Sequence, residues 1–213
     1  MKARPILFSG PMIRALLEGR KTQTRRVVKP QPEFENRGIT GITDAIIHWK
    51  LPPVSKCPYG KPGDLLWVRE AWRASKVADE LPPRLLVPGH SRIHYEADSA
   101  VDWTGRYRHA RFMPRWASRS TLRITDVRVQ RLQDISEADA KAEGVQMENE
   151  RCWVDYLTPG TQITLSAQQS FDTLWESING PGSWEANPWC WALTFDVIKA
   201  NVDQVMSANK GGE

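Results

Sequence analysis

Gly19 separates two periodicities at the start of this chain, and no single element can satisfy both. Before it, Pro5-Ile6-Leu7-Phe8 reads as a strand. Pro11 at a first helical position, with Ile13, Leu16 and Leu17 on one face, then reads as a short helix that Gly19 ends. After it, Thr22, Thr24, Arg26 and Val28 recur every second residue, the period of a β-strand. The segment Gly19-Arg20-Lys21-Thr22-Gln23-Thr24-Arg25-Arg26 therefore brings an amine, two hydroxyls and a cluster of guanidinium groups out of a helix end into a strand. Such a set can hold phosphate or do chemistry. It reads equally as a helix cap feeding a basic, solvated edge strand, with Thr24 exposed.

The chain has 213 residues, enough to bury a proper core, and its 40% hydrophobic and 25% charged content are those of a globular protein. No apolar run approaches the ~20 residues of a membrane span, and the N-terminus lacks the apolar stretch of a secretory signal, so a cytoplasmic location away from membranes is expected. Cys57, Cys152 and Cys190 are scattered and contain no Cys-x-x-Cys pair, which argues against a disulfide framework or zinc knuckle. His48, His90, His94 and His109 form no recognisable ligand spacing, so neither metal nor cofactor is expected.

Further along, Pro62-Gly63-Asp64 is a tight turn opening a strand over residues 65–72. Residues 29–60 and 73–114, rich in proline, glycine and charge, read as insertions, with one further strand at Ile93-His94-Tyr95-Glu96-Ala97. Residues 121–132 change phase between Leu122/Ile124 and Val127/Val129, which suggests a bulge near Thr125-Asp126. Ser136 opens a helix stopped by Gly144, with Glu143 in its last turn, where a carboxylate opposes the helix dipole. A second helix from Ser166 carries Phe171, Leu174, Trp175 and Ile178 as a core stripe. Residues 189–197 read as a closing strand and 200–213 as a flexible tail.

The net charge is only +4, yet eight arginines lie between Arg106 and Arg131 with Asp126 as the sole acid. Tyr107, Phe112 and Trp116 are interleaved, a combination suited to gripping phosphates and stacking bases. Arg115, Trp116, Arg119 and Arg123 are the candidate contacts, together with Thr22, Arg25, Arg26, Trp67 and Arg69. Arginine stems covering apolar surface would account for the same pattern.

The order of these motifs resembles the ASCH domain: the Gly19–Arg26 segment, Pro62-Gly63-Asp64 opening a strand, then a strand feeding a capped helix that ends in Glu143-Gly144. The resemblance spans residues 4–198 as one domain, with insertions at about 29–60, 73–114 and 146–165, and its enlarged form is similar to bacteriophage and prophage ASCH proteins. It implies an α+β fold built on a small PUA-like β-barrel with packed helices. It also implies a nucleoside, RNA or other single-stranded nucleic acid as partner. At its motif the chain is similar to bacterial amidohydrolases that remove acetyl from N4-acetylcytidine with a lysine, a threonine and a glutamate. These match Lys21, Thr24 and Glu143, provided that Lys21 still lies in the turn, since residues three apart in a strand face opposite ways. Non-catalytic RNA binding is the alternative, and metal-dependent ribonuclease activity a third.

Overall fold

A computed structural model describes residues 1–35, 48–99 and 101–209. In chain order its elements are β1 (Ala3–Leu7), α1 (Gly10–Leu17), β2 (Gln23–Val27), β3 (Phe34–Glu35), β4 (His48–Trp49), β5 (Leu65–Arg69), β6 (Trp72–Ser75), β7 (Ile93–Tyr95), β8 (Thr104–Arg108) and β9 (Thr121–Arg131). There follow α2 (Glu137–Ala142), β10 (Met147–Asn149), β11 (Cys152–Val154), β12 (Ile163–Thr164), α3 (Ala167–Asn179), β13 (Trp189–Ile198) and α4 (Val202–Ala208), with short 3-10 turns between elements. The fold is mixed α+β. Within the span expected as one domain, the chain forms two compact units: Met1–Thr22 with Pro62–Thr125 and Phe195–Glu213, and Gln23–Lys61 with Asp126–Thr194. The sheets among the described residues are open, so the closed barrel implied by the resemblance is not among them.

In the first unit β1 runs parallel to β5, and β5 runs antiparallel to the first half of β9. The Pro62-Gly63-Asp64 turn fixes that arrangement. Gly63 takes φ +88°, a left-handed conformation open to glycine, and donates its N–H to the Ile124 carbonyl at 2.8 Å. Asp64, nearly fully buried, accepts the Lys2 N–H at 2.7 Å and Arg4 Nη1 at 3.1 Å, tying β1 to the start of β5. The strand expected over 65–72 is two, β5 and β6, interrupted at Glu70-Ala71. Residues 73–114 are more than surface insertion: β7, β6 and β8 form a three-stranded sheet over Trp72, Ala74, Leu86 and Met113.

The C-terminal expectation is corrected. Within the span read as a flexible tail, residues 202–208 form α4, and Val202 and Val205 are buried against Leu65 and Trp67. Valines three apart supply one turn of apolar face, and Asn201 caps it: its side chain accepts the Asp203 N–H, and Gln204 closes a reciprocal capping box. Asn201 Nδ2 also donates to the carbonyls of Arg115, Trp116 and Ser118 at 2.9, 3.2 and 2.8 Å. Residues 210–213 lie outside the described residues.

The second unit pairs β2 antiparallel with the first half of β13. Ser136 and Ser166 cap α2 and α3 as expected, each side chain accepting an N–H three residues on. The helices meet over Leu132, Ile135, Ala140, Phe171, Trp175 and Cys190. Ile178, expected in the core stripe, is 53% exposed, because the helix turns that position outward near its end. The span 146–165 holds a small sheet of β10, β11 and β12.

Replacing Asn201 by alanine removes an N-cap and the donor to three carbonyls together. The expected loss is about 1–2 kcal/mol from the cap alone, with more from the carbonyls that lose the Asn201 donor, read as a lower urea midpoint at unchanged slope.

Candidate active site

Strand β2 carries most of the motif, and its register divides the side chains between two faces. Thr24 lies opposite Leu193 and Arg26 opposite Trp191, while Gln23, Arg25 and Val27 lie opposite Thr194, Ala192 and Cys190. Directly paired residues share a face and successive residues alternate. Thr24, Arg26, Leu193 and Trp191 therefore occupy one face, and Gln23, Arg25, Val27 and Cys190 the other.

On the second face Arg25 is fully enclosed and anchors a polar network. Nη1 donates to Glu143 Oε1 at 3.0 Å and to Gln23 Oε1 at 2.5 Å, and Nη2 donates to Asp139 Oδ2 at 2.9 Å. Gln23 Nε2 donates to Asp139 Oδ1 at 3.0 Å and to Thr194 Oγ1 at 3.2 Å, while Arg128 approaches Asp139 at 3.2 Å from the more exposed side. Asp139 and Glu143 are four apart, one helical turn, so α2 offers both carboxylates to the same guanidinium. Glu143 sits at the C-cap of α2, where the dipole disfavours a carboxylate, and Arg25 supplies the compensation. Arg25, named as a substrate contact, is instead committed to these internal partners.

Burial alone raises the Asp139 carboxyl, but the Gln23 hydrogen bond and the charges of Arg128 and Arg25 hold it below the usual aspartate range. On the other face, burial lowers the Arg26 guanidinium from its ordinary value, against the favourable charges of Tyr59 and Glu143. Burial pushes the Cys190 thiol up to about 12, with Arg25 opposing and Glu143 adding to the rise, so it is a packed neutral thiol.

The remaining motif residues differ from a solvated edge strand. Lys21, in the first unit, precedes β2 in the turn, as the family chemistry requires. It is 1% exposed, its N–H donates to the Ala15 carbonyl at 3.0 Å, and its ammonium stands 5.7 Å from the centre of the Phe8 ring. The Thr22 carbonyl accepts the Phe195 N–H at 2.9 Å. Thr24, in the second unit, is 2% exposed, contrary to its reading as an exposed residue, because β13 and the body of that unit enclose β2.

The arginine-rich segment is also altered by folding. Its apparent lack of acids is an effect of reading along the chain. Arg119 is held by Glu70 at 2.8 and 2.9 Å and by Asp98 at 2.8 Å, and lies 4.0 Å from the Tyr95 ring centre. Arg115 pairs with Asp203 at 2.8 Å. Arg108 is buried and donates to the carbonyls of Ala78 and Leu81, and Arg69 donates to those of Arg111 and Met113. Trp116 packs against the Trp72 cluster, and Trp67 is buried beside Val202. Of the expected track, Arg123 stands exposed. Among the described residues no group of three or more His, Cys, Asp or Glu side chains is placed to hold a metal ion.

The second unit holds a cavity of about 490 Å³ bounded by residues 28–33 and 50–58 and by Trp191. Among the described residues, Lys29, Lys50, Lys56 and Glu33 line it together with proline rings. Sequence reading passed over it as an aperiodic insertion; lysines alternating with prolines were the available signal. Trp191 belongs to the Thr24 face of the β2/β13 pair. Comparison with known proteins gives no matching family model, no matching curated protein and no matching solved structure.

Replacing Arg25 by methionine leaves the Glu143 carboxylate buried without its ion-pair partner. A loss of about 3–5 kcal/mol is expected, with part regained on adding Glu143→Gln, as read by chemical denaturation. Asp139 has a depressed folded-state value, so its stabilisation is present above the unfolded value of about 3.9 and is lost as pH falls through the folded value. The stability gap between wild type and Asp139→Asn should therefore be widest near neutrality and shrink below about pH 4.

Proposed function

We propose that this chain is an ASCH-type amidohydrolase acting on N4-acylated cytidine in the cytoplasm, its α+β units being an elaborated PUA-like core. The burial of the motif's polar side chains carries the reading: Lys21, Thr24 and Glu143 are 1, 2 and 5% exposed. A solvated basic strand would leave its amine, hydroxyl and carboxylate in water, whereas these three are enclosed.

Thr24 is the nucleophile of this reading. Its oxygen attacks the acyl carbonyl, the bond from that carbonyl to cytosine N4 breaks, and the freed amine leaves with the proton taken from the hydroxyl. The resemblance gives Lys21, in its neutral form, the task of carrying that proton. Water then cleaves the threonine ester and releases the carboxylate. Glu143 is a positioning residue, because its bond to Arg25 braces the strand on which Thr24 sits. Substrate reaches Thr24 on the face that also carries Trp191.

A track for single-stranded nucleic acid receives less support, because Arg115 and Arg119 have carboxylate partners and Trp116 is packed. The metal-dependent ribonuclease reading gains no further support.

Purified protein incubated with N4-acetylcytidine should release cytidine and acetate, followed by chromatography. Thr24→Val, which keeps the strand-forming shape without the hydroxyl, should abolish turnover, and Lys21→Met should lower kcat by roughly 10²–10⁴-fold, with melting temperatures measured for both. Absence of turnover by wild type, or normal turnover by Thr24→Val, overturns the assignment.

A further inference from the structure

We propose that the cavity between residues 28–33 and 50–58 binds the phosphate of a cytidine 5′-phosphate, so that the ligand is a nucleotide and not a neutral nucleoside. This rests on the reading above and gives the substrate a charge that reading does not specify.

Among the described residues, three lysines and one glutamate line a space of about 490 Å³, within the roughly 300–1,000 Å³ of small-molecule sites. Lys29 and Lys56 are exposed, on the two separate stretches of chain that bound the cavity, so their ammonium groups can turn toward a common anion. A phosphate monoester carries about −1.5 to −2 charge at neutral pH and accepts several hydrogen bonds, which matches the two ammonium groups of Lys29 and Lys56. A free nucleoside gives them nothing to bind. The remaining lining fits the other end of such a ligand. Its proline rings offer flat apolar surface to a base and ribose, with the buried Trp191 forming part of the wall.

Position connects this cavity to the motif. Trp191 pairs with Arg26, and Arg26 and Thr24 are two apart on β2, so all three share one face of the β2/β13 pair. A nucleotide in this cavity therefore lies against the face of the β2/β13 pair that also carries Thr24. The same cationic lining would also accept the terminal phosphate of a short 5′-phosphorylated oligonucleotide. The shared chemistry is thus a cytidine bearing a 5′-phosphate.

Calorimetric titration of the full chain with cytidine 5′-monophosphate, cytidine and 5′-phosphorylated dicytidylate tests this without relying on turnover. Cytidine 5′-monophosphate should bind at least ten-fold more tightly than cytidine. The double substitution Lys29→Ala and Lys56→Ala, at exposed positions, should remove that preference while leaving cytidine binding and the melting temperature unchanged. Dicytidylate binding as tightly as the mononucleotide assigns the site to a 5′-phosphorylated end, whereas weaker dicytidylate binding assigns it to the free mononucleotide; both sustain the proposal. Equal affinities for cytidine and its monophosphate, or a double variant that binds the monophosphate like wild type, overturn it. Thr24→Val should retain the phosphate preference. A protein that shows the preference but no amide hydrolysis would separate failure of the amidohydrolase reading from failure of this one.

Discussion

The enclosed guanidinium of Arg25 organises the second unit. It is the point at which a strand, a helix and two carboxylates are joined, and none of these groups is stable in the interior without the others. A buried ion pair contributes little net stability over a well-packed apolar substitute, but removing one partner is severe. Its consequence is geometric: the spacing of Asp139 and Glu143 on α2 fixes which turn of helix meets which residue of β2. The alternation of β2 then sends Thr24 and Arg26 to the opposite face. The same strand thus has one face tied into the Arg25 network and another that carries Thr24 and Arg26.

Arginine has two other uses in this chain. In the first unit, Arg108 and Arg69 donate to backbone carbonyls of irregular segments. Arg119 brings together Glu70 and Asp98, residues far apart in sequence, beneath the Tyr95 ring. The planar fork of a guanidinium, with five donors in fixed directions, suits it to bridge several acceptors at once. The density of arginine over residues 106–131 therefore reflects the needs of a fold with many short strands and turns. Arg115, Arg119 and Arg128 of that stretch meet carboxylates, while Arg106, Arg111 and Arg123 are exposed. The cationic lining of the cavity is of another kind, with flexible and exposed lysines instead of braced arginines.

Much of the local structure was legible from residue spacing. The strand and helix before Gly19, the alternation from Thr22 to Val28, the caps at Ser136 and Ser166 and the closing strand at residues 189–197 are set by period and by capping chemistry, which act over a few residues. The phase change in β9 was legible too: Thr125 and Asp126 are both exposed between buried Ile124 and Val127. Glu143 could be singled out because it opposes the dipole of its own helix. What made that position tolerable could not be read, because Arg25 lies 118 residues away.

The sequence by itself determined where elements begin and end, which residue types meet in the Gly19–Arg26 segment and which glycines end helices or shape turns, because those properties depend on near neighbours along the chain. Only the tertiary structure decided which of the charged groups are available. It buried Lys21, Arg25 and Glu143, paired Arg115 and Arg119 with distant acids, folded residues 202–208 into a capped helix, and left Lys29 and Lys56 exposed at a cavity. The physical reason is that a charge is neutralised or desolvated by whatever lies within a few ångströms of it, and sequence separation does not report that distance.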